Sequence, residues 1–340
     1  MPNAMAKAGI HVATCTSRYP NNDSTLIMEK VLVDLGAFVR HLKSKRFGYE
    51  RVVLAGWSGG GSLSAFYQSQ AESASVTHTP AGEPVDLRGR LEPADGLLIM
   101  GAHSSRARIF TEWLDPAVLD ENDPDARDPD LDLWNPANKP PYDAAFLAKF
   151  RAAQLERSRR ITRWAEAKLA ALQAQAADTS REPWKQARTD FPFMVRCTQA
   201  DPLRLDLTVD PNERRATSLR ELAQENHSPV GLARFTTLKS WLSQWSIDRS
   251  NADGPRHVAR VTKPVLVLCN GADHLVPPSH AKAMYDAVAH DRKRFVCVPG
   301  ATHYYFGQSD LLRDAVRQVA GFMEEHGLLE RGVAAAPPPR

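Results

Sequence analysis

The sequence predicts an α/β fold, a mostly parallel sheet carrying a large helical insertion. Three observations carry this reading. Short apolar runs recur at 51–55, 96–102, 264–270 and 294–298. Helical periodicity alternates with them, as parallel strands require. Between His103 and about Val261 that alternation stops, and long charged helical patterns replace it.

The elements follow in order. Residues 1–8 look like the end of a helix (Ala4, Met5, Ala6, Lys7). A first strand is expected at 9–16, which is rich in small and β-branched residues, and 18–23 reads as a loop. A helix is expected over about 24–45, where Leu26, Ile27, Val31, Leu35, Phe38, Val39 and Leu42 recur at three- and four-residue steps. Residues 51–55 form a short strand, followed by a glycine-rich turn and a helix over 61–71. The stretch 72–95 is polar and rich in Pro, Gly and Thr, hence an excursion. Strands at 96–102, 264–270 and 294–298 and helices at 279–289 and 310–326 complete the alternating part. Residues 334–340 are Ala/Pro-rich and read as a frayed tail.

The insertion begins with an acidic loop, 120–132. A long charged helix follows at 142–177, then shorter helices near Leu219 and over 231–245. Six of the seven tryptophans lie here. A mostly helical insertion between two parallel strands reads as a cap over the sheet's carboxyl edge, where open α/β sheets bind ligands. The division is therefore a core of 1–103 with 262–330, a helical cap of 104–261, and a disordered tail of 331–340.

Composition excludes several classes. The 340 residues suggest about two domains, or one carrying an insertion. An apolar fraction of 43% is enough for a sizeable core. No run approaches the ~18 apolar residues of a membrane span, and 1–16 lacks the pattern of a secretory signal. A net charge of +3, from 43 basic and 40 acidic residues, is too balanced to argue for nucleic acid. The four cysteines (Cys15, Cys197, Cys269 and Cys297) have no metal-ligand spacing and read as reduced cytoplasmic thiols.

The chemistry concentrates in Val52-Val53-Leu54-Ala55-Gly56-Trp57-Ser58-Gly59-Gly60-Gly61-Ser62. It holds G-x-S-x-G with a strand before it and a helix after it, the context of a nucleophile elbow. Small neighbours at Gly56 and Gly60 are expected to let strand and helix approach without Cβ clashes. The Gly59 N–H, at a helix N-terminus, is placed to meet a developing oxyanion. A serine hydroxyl needs a base. Of eleven histidines, His303 stands in the loop after the last strand, at the sheet edge where Ser58 emerges. The imidazole needs an acid to fix its tautomer. Asp273 lies in the loop after the preceding strand, at the same edge.

The order Ser58, Asp273, His303 resembles the α/β-hydrolase superfamily. The resemblance covers roughly 9–103 and 258–327, and the insertion looks like the cap such enzymes place after the strand following the elbow. It implies acyl transfer: Ser58 attacks a carbonyl, His303 shuttles the proton, Asp273 orients His303, and water hydrolyses the acyl-enzyme. There is one departure. Only one strand and one helix precede the elbow strand, so the fold is expected to lack its first strands. Alternatively the 9–16 strand occupies the vacant position and the 17–19 loop supplies the second oxyanion donor. With 104–261 assigned to the cap, about 180 residues remain, lean for an eight-stranded sheet at ~30 or more per strand–helix–strand unit.

Other features are weighed against packing. The acidic stretch Asp120, Glu121, Asp123, Asp125, Asp128, Asp130 and Asp132 lacks the glycine and terminal glutamate of a calcium loop and reads as a solvated cap loop. Arg151, Arg157, Arg159, Arg160, Arg163 and Lys168 read as the solvated face of the long helix. Phe235, Trp241 and Trp245 are placed on one helix; core packing is favoured, with pocket lining as the alternative. Trp57 and Tyr304, beside the nucleophile and base, are further substrate-contact candidates. The expectation is a serine hydrolase of the esterase kind, acting on a small apolar or aromatic substrate. It needs no cofactor, metal, nucleic acid or membrane, and homo-oligomerisation stays open. The alternative is a hydrolase-fold protein without efficient catalysis.

Overall fold

The computed structural model describes residues 1–330, so the tail expected at 331–340 lies outside the described residues. A short helix α1 (Pro2–Lys7) opens the chain and buries Met5 against the last helix. The strand expected at 9–16 does not form. Ile10 alone enters the core, while His11 to Thr14 face solvent. β-branched residues favour extended backbone, but a strand exists only with a ladder partner, and this segment has none. The alternative of a relocated strand therefore falls. Arg18 of the 17–19 loop pairs with Asp34.

Helix α2 (Met28–Lys43) follows and buries Met28, Val31, Leu32 and Val39. Then come β1 (Val53–Ser58), α3 (Gly60–Glu72) and β2 (Gly96–Ala102), every residue of β2 being buried. The insertion starts with α4 (Arg106–Trp113), whose first turn is capped by Ser105. The 34-residue α5 (Ala144–Ala177) is capped by Asp143, which accepts the Phe146 N–H at 2.7 Å. After it stand α6 (Pro183–Gln186), β3 (Pro192–Met194), α7 (Leu219–Asn226) with a Ser218/Glu221 capping box, and β4 (Phe235–Thr237). The single turn α8 (Leu238–Ser240), a wider π-type turn Trp241–Trp245 and α9 (Gly254–Val258) lead back to the sheet. The alternation resumes with β5 (Val265–Asn270), α10 (Pro278–Ala287), β6 (Lys293–Val298) and α11 (Ser309–Glu325).

The central sheet has four parallel strands in the order β1-β2-β5-β6, with the elbow strand at one edge. The two central strands are buried on both faces, as parallel strands covered by helices must be. One face packs on α1 and α11, through Leu98, Met100, Leu266 and Leu268. The other packs on α3, α9 and α10, through Leu97, Ile99, Val265 and Val267. Each such side chain contributes about 1.5–3 kcal/mol of burial.

Two readings of the insertion need correction. The stretch expected as one helix over 231–245 is a strand, a helical turn and a π turn in succession, and β4 pairs with β3 antiparallel. The basic face of α5 is not simply solvated. Arg157 is only 1% exposed and donates to the carbonyls of Asp115, Arg196 and Cys197 as well as to Glu121. Arg160 shares Glu121, Lys149 takes Asp130, and Arg151 takes Asp201. The acidic loop and the basic helix are partly each other's partners. Among the described residues no helix is long and apolar enough to cross a membrane. Among them, no group of three or more His, Cys, Asp or Glu is placed to hold a metal ion.

Candidate active site

The elbow is built from steric necessity. Ser58 ends β1 at φ +52°, and Gly59 leads directly into α3. A Cβ on Gly56 would lie 2.5 Å from the Gly60 carbonyl oxygen, and one on Gly61 would lie 2.3 Å from the Ala102 Cβ. A Cβ on Gly60 would meet nothing within 4 Å. The vacancies that let helix and strand approach are thus at Gly56 and Gly61, not at Gly60.

The partner strand is bent at the same level. Trp57 pairs with Met100 but Ser58 pairs with Ala102, so Gly101, at φ +46°, is an extra residue in β2. A bulge of this kind re-aims the side chains beyond it. Here His103, two residues beyond the bulge, comes to lie against Ser58. The His103 N–H donates to the Ser58 carbonyl at 3.2 Å, and its Nε2 lies 3.3 Å from Ser58 Oγ. The ring is buried edge-on to Trp113 and His280. Burial first, then the fields of His280, His303 and Arg106, hold His103 well below the usual imidazole range, so the ring is neutral. His280 donates through Nε2 to Glu112 at 2.9 Å and accepts the Ser104 N–H on Nδ1.

His303 and Asp273 meet as the strand-end argument expects. His303 Nδ1 lies 2.7 Å from Asp273 Oδ2, with both side chains 1% exposed. The other carboxylate oxygen, Oδ1, accepts the N–H groups of Leu275 and Val276 at 2.8 and 3.0 Å. The carboxylate is therefore fixed on both sides, and it fixes the proton of His303 on Nδ1. His303 Nε2 is buried without a partner among the described residues. Asn270, the last residue of β5, reaches the carbonyls of Thr302 and His303 at 3.3 Å and accepts the Tyr305 hydroxyl at 2.7 Å. It ties together the loops that carry Asp273 and His303.

The aromatic candidates divide. Trp57 and Tyr304 stand edge-on to His303, with ring centroids at 5.8 and 4.5 Å. Trp245 and Trp241 are buried against Phe110 in the core of the insertion. Trp245 still reaches the site indirectly, beneath the Arg106 guanidinium at 5.7 Å. Phe235 is exposed on β4, paired only through its backbone, and lines no described part of the site. His103 and Arg106 are the site residues that sequence reasoning missed. His103 carried the signal that marked His303, a histidine just past a strand's carboxyl end. A cleft of about 330 Å³ lies elsewhere, lined by Arg51, Asp95, Lys263 and Arg292, which precede the four strands. It is at the amino edge, opposite Ser58.

A parallel sheet with a serine on a strained strand–helix turn, and a histidine–aspartate pair on the next loops of the same edge, defines the α/β-hydrolase fold. No protein-family model matches the chain, and no curated protein sequence matches it. Solved structures do. A monoacylglycerol lipase of Paleococcus ferrophilus is 12% identical, with 90% of this chain and 78% of that chain covered at a TM-score of 0.40. A structure from the metagenome-derived lipolytic enzymes LipS and LipT is 14% identical, covering 95% and 86% at 0.43. DcsB in complex with its substrate analogue is 13% identical, covering 90% and 75% at 0.44. The activities in those names belong to those proteins.

Proposed function

We propose that this chain is a serine hydrolase that cleaves an ester-like acyl bond of a small substrate through Ser58, His303 and Asp273. The observation that supports it most is the buried His303–Asp273 pair, with Nε2 unpartnered, on loops at the same sheet edge as the strained Ser58. In this reading Ser58 Oγ attacks the carbonyl carbon. His303 Nε2 takes the hydroxyl proton and returns it to the leaving group, while Asp273 holds Nδ1–H and stabilises the imidazolium. The Gly59 N–H faces the oxyanion at the start of α3. Water then repeats the sequence on the acyl-enzyme. The insertion serves as the cap, and Trp57 and Tyr304 border the space beside the base, which favours a substrate with an apolar or aromatic part.

One observation favours a second reading, a hydrolase fold without efficient catalysis: the hydroxyl of Ser58 is engaged by His103, not by His303. A fluorophosphonate probe separates the two. Covalent labelling of folded wild type, absent in Ser58→Ala, is the expected result. Folded wild type that stays unlabelled supports the second reading.

A further inference from the structure

Arg106 is a cation with no carboxylate partner among the described residues. It opens α4, three residues past His103, and its Nε lies 3.4 Å from the Gly59 carbonyl oxygen. A Cβ on Gly59 would fall 2.8 Å from that nitrogen and 3.3 Å from Nη2. The guanidinium therefore lies against the residue next to the nucleophile. Nη1 donates to Gln244 Oε1 at 2.6 Å. That amide is itself fixed, because Gln244 Nε2 donates to the Asp23 carbonyl and to Ser240 Oγ, both at 2.8 Å. The Trp245 ring closes one face of the guanidinium. Among the described residues no carboxylate comes within ion-pair distance of it. Arg151, Arg157, Arg159 and Arg160 of α5 each have one, and the buried Arg214 and Arg234, which have none, spend their donors on backbone carbonyls. Burial is the leading influence on Arg106 and disfavours its charge; the field of Asp23 opposes it only partly. An arginine held this firmly, half-buried and uncompensated, is arranged for an anion that arrives with the ligand.

We propose that Arg106 is the anion-recognition residue of the Ser58 site and takes a carboxylate carried by the substrate near the scissile carbonyl. This rests on the reading of Ser58 as nucleophile and adds the substrate class: half-esters of short dicarboxylic acids, or acyl compounds of like charge. The planar guanidinium has two edges. Gly59 takes Nε on one and Gln244 takes Nη1 on the other, and Nη2, common to both, is left to donate to the incoming carboxylate.

The test compares mono-4-nitrophenyl glutarate with 4-nitrophenyl valerate, which differ chiefly in the terminal carboxylate. Wild type should favour the glutarate by at least tenfold in kcat/KM, and added salt should erode that preference. Arg106→Gln should lose 30-fold or more on the glutarate and less than threefold on the valerate, with Arg106→Lys in between. Equal losses on both esters, or a wild type that shows no preference, overturn the proposal; equal losses point to the oxyanion or to structure. Calorimetry on Ser58→Ala keeps the two readings apart. Glutarate should bind Ser58→Ala and not Ser58→Ala/Arg106→Gln, whether or not wild type turns over. Binding without fluorophosphonate labelling sinks the nucleophile and leaves the anion site. Labelling without glutarate binding or preference does the reverse.

Discussion

Asp273→Asn tests the assignment of the base more sharply than removal of the histidine. Oδ1 of Asp273 accepts two backbone N–H groups, from Leu275 and Val276. An asparagine must keep its carbonyl oxygen on that side, because an amide NH₂ there would face two donors. Its NH₂ then replaces Oδ2 and points at His303 Nδ1. The imidazole responds by moving its proton to Nε2, the position that has to be bare to take the serine proton. Geometry is retained and the tautomer is wrong. Such an exchange lowers kcat by roughly 10⁴, about 5.4 kcal/mol at 1.36 kcal/mol per tenfold. Both backbone bonds survive, so the melting temperature should change by only a few degrees. Asp273→Ala, which loses them, should cost about 1–3 kcal/mol of stability in addition. His103→Ala removes one neutral 3.3 Å contact to Ser58, worth about 1 kcal/mol, so activity should stay within about tenfold. Hydrolysis of a 4-nitrophenyl ester gives the rates, and ¹⁵N spectra of the imidazoles give the tautomer. An Asp273→Asn enzyme within tenfold of wild type, beside a His103→Ala enzyme down by 10⁴, would refute the reasoning and make His103 the base.

Three more predictions concern the frame around the site. His257 is buried between Ser69 and Asn251, and burial lowers its pKa from 6.5 to about 4. The unfolded chain then binds the proton first, so stability falls as pH drops below 6.5. Linkage gives a loss of about 2 kcal/mol between pH 7 and pH 5; urea midpoints that slope no less in His257→Gln would contradict it. Gly60→Ala should be tolerated although it alters the G-x-S-x-G motif, whereas Gly56→Ala and Gly61→Ala should fail to give soluble protein, since their Cβ atoms have no room. Arg157→Ala strips three buried carbonyls and Glu121 of their donor and should cost about 3–5 kcal/mol in denaturant unfolding. Arg163→Ala, on an exposed pair, should cost under about 1 kcal/mol.

The legible part of the sequence has a common physical basis. β2 and β5 are continuous apolar runs because helices cover both faces, and α11 keeps a clean apolar stripe because only one side of it meets the sheet. Asp273 and His303 were findable because strand ends mark the sheet's carboxyl edge. His103 belongs to the same edge, but it lies against Ser58 two residues beyond the Gly101 bulge, and a single glycine in an apolar run does not announce one. The 9–16 segment has strand composition without a strand partner, a fact that only topology holds. The 231–245 stretch has helical spacing of its tryptophans, yet the polar residues between them are claimed by Asp23 and the first turn of α2, and that tertiary demand sets the backbone. The pairing of Arg157 with Glu121 spans 36 positions and two elements, so each charge read alone looked solvated.

Those tertiary demands also bear on how a substrate reaches Ser58. The stretch from Thr237 to Asn251 is fastened to residues 23–29 by a run of hydrogen bonds. Thr237 N–H reaches the Ser24 carbonyl and Gln244 Nε2 the Asp23 carbonyl. Ser243 Oγ accepts from Met28 N–H and donates to Glu29, whose other oxygen accepts from Asn251. At about 1 kcal/mol net each these sum to roughly 5 kcal/mol. Parting them would also leave Glu29, buried and already held above the usual carboxylate range by that burial, without its donors. A cap that lifted at this joint would be open in fewer than about one molecule in a thousand. Gln244 is one of those fasteners and also holds Arg106, so with the joint closed the guanidinium is held in place. The exposed rings stand on the other flank of His303, where Tyr304 and Phe306 face solvent. On the proposed reading of Ser58, access past those solvent-facing rings would leave every bond of this joint in place.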